Sequence, residues 1–257
     1  MINPLRMLGH KAIGLIANIG SIIVLLFQVL KYVRYFHQDR ALYINQFYML
    51  GVKALPLVAV ISIFAGAVSG WQGAYQLEDT LPAMFFGQIV AVGFLAEMGP
   101  VLTALVLAGR NGSSIGAELA TMRVTEQIDA LEVMAINPVR HLVAPRVIAM
   151  VIMMPLLVAV SDFVGLFTAA LVGDVFFDIS VQMFFNSFKS VFVFSEDILP
   201  GFVKALSFGF AIGLTSCWVG LRATKGASGV GRAAIDAFVF SATLILVYDF
   251  MVAMVVF

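Results

Sequence analysis

Cysteine occurs once in 257 residues and histidine three times, at His10, His37 and His141. One cysteine excludes a disulfide framework and any cysteine-built zinc or iron–sulfur site, and three scattered histidines do not make a metal centre. Charge is scarce as well. Asp, Glu, Lys and Arg supply 12% of the chain, against about 25% in soluble domains. Fifteen acids balance fifteen bases, so the basic excess of a nucleic-acid binder is missing. No G-x-x-x-x-G-K-[ST] phosphate loop is present. The nearest run, GASGVGRA at 226–233, has Arg232 for the lysine and Ala233 for the hydroxyl residue, and reads as a flexible glycine-rich turn. No histidine falls within a clear apolar span, so a serine hydrolase has no support. The chain is expected to hold no catalytic site, no metal and no ATPase site of its own.

What the chain has is apolar length. Hydrophobic residues make up 61% of it, with a mean hydropathy of +1.02. Runs at 52–75, 82–109, 147–173, 199–221 and 234–257 are each long enough to cross a bilayer, which takes about 20 residues. In lipid such runs are helical, because only bonds within the segment satisfy the backbone. The expected fold is therefore an all-α polytopic integral membrane protein of one domain with about five spans. The run 12–30 is ambiguous, interrupted by Asn18, Ser21 and Gln28. Residues 41–53 and 181–194 read as interfacial helices. No cleavable signal peptide is expected. Thirteen of the fifteen Lys and Arg fall in 1–53, 110–146 and 222–232, whereas 76–81 and 174–198 hold Glu78, Asp79, Asp174, Asp178, Glu196 and Asp197 with only Lys189. The positive-inside rule then puts the N-terminus in the cytoplasm and the C-terminus outside. Lys204 lies in a span near its outer end and is expected to snorkel.

Two regions carry the functional reading. In the long cytoplasmic connection, a helix is expected over 113–136, capped by Ser113 or Ser114 and ended by Pro138. Ala117, Ala120, Val124, Ile128, Leu131 and Ala135 form one narrow apolar stripe. Glu118, Glu126, Asp129 and Glu132 with Arg123 form a charged face, among which Met122 and Val133 are expected to be exposed. A surface helix would look like this, and so would a docking helix for a protein groove. The second region is the pair of runs 52–75 and 82–109. Gly66, Gly70 and Gly73 are spaced for close helix contact, followed by Trp71 and Tyr75. Glu97, Gly99 and Pro100 put a charge beside a proline kink in mid-span. Ile63, Val68, Phe94 and Leu95 are candidates for an apolar cavity wall, with Glu97 as its polar element. Asp162 and Asp249 lie in other spans and Asp236 at a cytoplasmic mouth. A proton relay through Glu97, Asp162 and Asp249 in an ion-coupled transporter, or a non-transporting scaffold, would be the competing uses.

The run AEMGPVLTALVLAGRNGSSIGAELATMRVTEQIDALEVMAINPVRHLVAPR at 96–146 resembles the MlaE/YrbE family of ABC-transporter permeases, the membrane subunits of Mce-type lipid transporters. QFYMLGVKALPLV at 46–58, GVGRA at 229–233 and YDFMV at 248–252 extend the likeness. The resemblance implies a homodimeric permease in the bacterial inner membrane, with a cytoplasmic ATPase on each half that holds ATP and magnesium. It further implies a periplasmic ring of Mce-domain protein, in some systems a STAS-domain protein, and phospholipid as substrate. It makes the helix of the long loop the coupling helix on the ATPase, through Glu118, Met122, Arg123, Glu126, Asp129, Glu132 and Val133. It also favours five spans, with the N-terminal segment at or in the inner leaflet. Three positions depart from the family: Ala96 stands where many members have arginine, Met98 where they have leucine, and Ala233 where most have a hydroxyl residue.

Overall fold

The computed structural model describes residues 4–77, 82–191, 199–224 and 226–256, and every element among them is helical. Glu78, Asp79, Glu196, Asp197 and Lys225, which enter the charge pattern, lie outside the described residues. The helices are α1 Pro4–Val33, α2 Arg40–Leu50, α3 Leu55–Leu77, α4 Phe86–Gly93, α5 Gly99–Leu107, α6 Ser113–Val124, α7 Gln127–Val133, α8 Ala144–Phe177, α9 Val181–Val191, α10 Leu199–Leu221 and α11 Gly226–Val256. Among the described residues, six helical stretches are long and apolar enough to cross a membrane, Ile16–Val33 being one.

Small residues set the packing. α8 is the axis, with α3 along one side and α10 along another. A Cβ on Gly66 would stand 2.1 Å from the Gly165 carbonyl oxygen, and one on Gly209 would stand 2.5 Å from that of Met150. Such contacts bring helices close enough for dispersion to hold them where no hydrophobic drive separates helix from lipid. α6 is built into the bundle too, against α10 and α11, with Gly116 facing Ala233 and Ala237 and Gly220 facing Leu119. The main core gathers α5, α8 and α10 around Leu107, Met150, Met154 and Phe208. A second core joins α4, α8 and α9 around Phe86, Phe94 and Phe184.

Several segments differ from the sequence reading. Residues 41–53 are not a separate segment: α2 passes through a short 3-10 turn at Val52–Ala54 straight into α3, and its Tyr43 and Leu50 are buried. GASGVGRA is not a flexible turn but the opening of α11, entered through Gly226 at φ +57°. The helix expected over 113–136 is two helices, α6 and α7, broken at Thr125 and Glu126. Glu126 adopts the left-handed conformation with φ 60°, a conformation uncommon outside glycine. The break moves the inward face of α6 to Ile115, Gly116, Leu119 and Ala120. Of the expected stripe, Ala120 and Ile128 are buried, but Ala135 is exposed.

The stretch from Phe86 to Val124 runs on through two π-turns, Phe94–Met98 and Ala108–Gly112. Pro100 follows the first. Its missing N–H and its ring need room in the preceding turn, and a π-turn, one residue wider than an α-turn, supplies it.

Candidate functional site

The first π-turn carries Glu97 on its rim. α10 approaches this turn closely because Gly201 sets its backbone against the Leu95 carbonyl, 2.5 Å from where a Cβ would stand. One turn further along α10, Lys204 is fully buried. Its Nζ donates to Glu97 Oε1 at 2.6 Å and lies 2.9 Å from Asp249 Oδ1 of α11. Lys204 therefore does not snorkel. It is the centre of a three-residue ion cluster joining the π-turn, α10 and α11. A lone buried ammonium would cost several kcal/mol, and two carboxylates offset that cost. The Glu97 side chain stays 40% exposed, so the cluster has one open, negatively charged edge. Gly99 sits against Asp162 of α8: a Cβ there would fall 1.9 Å from Asp162 Oδ1. That oxygen is shut off from solvent and has no partner among the described residues. Asp162 thus stands on the far side of the same turn and does not join the Lys204 cluster.

The other residues expected to line a cavity part company here. Phe94 is 1% exposed and its ring presses on Gly165. Phe94 and Leu95 belong to the α4–α8 core, which leaves neither free to face a lipid; this corrects their assignment to a cavity wall. Pro100 is buried as well. Ile63, Val68 and Tyr75 are exposed on α3, and Trp71 stacks edge-on against Phe176 and Phe177. In the sequence, Glu97 and Asp249 are joined only as a relay with Asp162, and Lys204 stands apart from both. Opposite charges in separate apolar runs were the available signal.

At the other end of the bundle, the expected docking residues occupy two environments. Glu118 accepts from Ser114 Oγ at 3.2 Å and from Arg146 Nη2 at 3.2 Å. Met122 is not exposed but packs on the main core. Arg123 pairs with Asp129 across the α6–α7 break. Glu126, Asp129 and Glu132 are exposed, and Val133, at 88%, is among the most exposed apolar side chains of the chain. Met134 and Ile136, which sequence reasoning passed over, are exposed beside it. The run Gly112-Ser113-Ser114-Ile115-Gly116 has the G-x-S-x-G spacing of a hydrolase elbow, which calls for a strand-to-helix turn. Here it continues a π-turn into α6, and its serine is bonded to Glu118.

Comparison with known proteins adds a family. The model of the permease MlaE family matches residues 43–255. The chain is 32% identical to the intermembrane phospholipid transport system permease protein MlaE of Haemophilus influenzae, over 257 residues covering 100% of this chain and 98% of that one. It is 40% identical to a probable ABC transporter permease protein of Rickettsia prowazekii over 82% of each chain. It is 33% identical to the chloroplastic protein trigalactosyldiacylglycerol 1 of Arabidopsis thaliana over 82% of this chain and 60% of that one.

Proposed function

Since the chain belongs to the MlaE permease family, we propose that it is the membrane subunit of an ABC transporter that moves phospholipid between the bacterial inner membrane and a periplasmic Mce-domain carrier. The observation that carries this reading is the end-to-end match with the Haemophilus permease. Energy comes from a separate ATPase, which holds the ATP and magnesium, because this chain lacks the phosphate-loop lysine. Two copies of the chain form the permease, α1 lies in the inner leaflet, the N-terminus is cytoplasmic and the C-terminus periplasmic, with a STAS-domain protein as a further partner in some systems.

In this reading the α7 tip is the ATPase-facing end: Val133, Met134 and Ile136 are exposed on the same short segment as the exposed acids Glu126, Asp129 and Glu132, apolar anchors among charges, as protein grooves favour. Motion there reaches the Glu97 cluster through α6, the second π-turn and α5, which are continuous in the chain. Glu97, with its exposed edge, is the polar element of the lipid path. Co-expression with an MlaE-family ATPase and reconstitution into vesicles tests this. ATP-dependent transfer of labelled phospholipid is expected, falling at least about tenfold in Glu97→Ala with the complex intact. ATP-independent, pH-driven transfer by the chain alone would overturn the reading in favour of ion coupling.

A further inference from the structure

A second polar site lies at the opposite end of the α5 segment. Arg110 stands about 20 Å along the helix from Glu97, at about 1.5 Å per residue. There α2, the second π-turn, α6 and the start of α8 line an open-mouthed cavity of about 300 Å3, at the small end of the range of about 300–1,000 Å3 that ligand pockets occupy. Its wall holds three cations, Lys53, Arg110 and Arg146, against one carboxylate, Glu118, with Gln46 and Ser114 as neutral polar groups. Arg146 is 5% exposed. Its Nη1 donates to the Leu142 carbonyl at 2.9 Å and its Nη2 to Glu118 Oε2 at 3.2 Å. Its Nε is buried and has no partner among the described residues.

The other two cations are no better neutralised. Arg110 Nη1 donates to the amide oxygen of Asn111 at 2.9 Å, and Lys53 Nζ faces the Tyr48 ring at 5.5 Å from its centre. Among the described residues neither forms an ion pair. An unsatisfied buried donor on a charged group costs upward of about 1–3 kcal/mol, and a pocket with a surplus of positive charge offers its missing partner to an anion. Guanidinium and ammonium groups lining one cavity match the oxygens of a phosphate. Met49 borders the same cavity and is exposed, and Ile44 and Val52, next in sequence to its Asn45 and Lys53, are exposed as well, apolar surface suited to acyl chains.

We propose that this cavity binds a phosphate oxyanion, supplied by the headgroup of a phospholipid in the adjacent leaflet, as a loading subsite separate from the Glu97 cluster. The inference rests on the reading of the chain as a phospholipid permease. Its test uses the full chain in phosphate-free maltoside detergent, with the unfolding temperature as readout and three probes: dihexanoyl phosphatidylglycerol, dihexanoylglycerol with the same tails and no phosphate, and inorganic phosphate. The phospholipid is expected to raise the unfolding temperature at concentrations where the glycerolipid does not. In Lys53→Gln/Arg110→Gln the concentration for half the shift is expected to rise roughly tenfold, the value of one charge-assisted hydrogen bond. Lys53→Gln alone, at an exposed position, gives a smaller rise in the same direction and serves if the double variant does not fold. An equal shift from inorganic phosphate upholds the oxyanion site and assigns its source to free phosphate. Equal shifts from the two lipids, or no change in the variants, overturn the proposal. ATP-driven transfer is measured in parallel on the assembled transporter: transfer that survives while the phosphate-dependent shift is lost removes the subsite alone, whereas absent transfer in the wild type removes the permease reading.

Discussion

Lys204 concentrates the chemistry of the membrane interior in one side chain. Removing one partner of a buried ion pair is usually worth about 3–5 kcal/mol, and the figure is reduced here because the Glu97 side chain is only partly covered by protein. Lys204→Met leaves Glu97 and Asp249 facing each other without a counter-charge. A lowered unfolding temperature in detergent is expected, by more than either Glu97→Gln or Asp249→Asn causes alone. The triple variant Lys204→Met/Glu97→Gln/Asp249→Asn is expected to regain part of the loss, because no charge is then left unpaired. Thermal unfolding of the four variants beside the wild type checks both expectations. Gly66 supplies a contrasting case with no charge. Its hydrogen faces the Gly165 backbone, so Gly66→Leu is expected to separate α3 from α8 and cost several kcal/mol, read as loss of folded protein on size exclusion. The glycine spacing in the 52–75 run made this contact legible in the sequence. The ion cluster was not legible as a cluster, because its members are separated by 107 and 45 residues and only the packing of the first π-turn, α10 and α11 makes them neighbours.

Among the elements, the loop after α5 shows where periodicity misleads. Apolar residues at spacings of three and four suggested one helix over 113–136, and nothing in that pattern marks Glu126, since glutamate is a good helix former. The break arises because α6 is locked between α10 and α11, while α7 folds back to bury Ile128 and lets Arg123 reach Asp129. Each half has its own expected phenotype. Ala120 is fully buried among Val219, Ala233 and Ala237, so Ala120→Lys is expected to abolish folding in the membrane, seen as loss of the monodisperse protein. Val133→Ser/Met134→Ser changes only exposed positions. It should leave the chain folded and reduce recovery of the ATPase in co-purification at least as much as Glu126→Lys/Asp129→Lys does. If the acidic double variant alone releases the ATPase, charge rather than the apolar tip carries the contact.

On the scale of the whole molecule, the surface is itself an argument. Large apolar side chains stay exposed along α1, α3 and α11, among them Phe27, Phe64, Phe238 and Phe250, far beyond what a water-soluble monomer shows. Composition and run length had already required this, and so the all-helical membrane fold was readable from sequence. What covers each face was not, since lipid and a second copy select the same residues. The expected assembly is two copies of this chain with two of the ATPase. Native mass spectrometry of the co-expressed complex checks it; a single copy of the chain with one ATPase would count against the dimer.

The helix from Phe86 to Val124 has an ion cluster at one of its π-turns and a cation-lined cavity at the other. Each π-turn stores one residue of slack, because a wide turn can be taken up at one position and released at the next without breaking the rod. The nine residues of α5 are therefore a short shaft set between two wide turns. A small twist applied where α6 grips it can be passed to Glu97 as rotation, at the cost of shifting a hydrogen-bond register rather than melting a helix inside the bilayer.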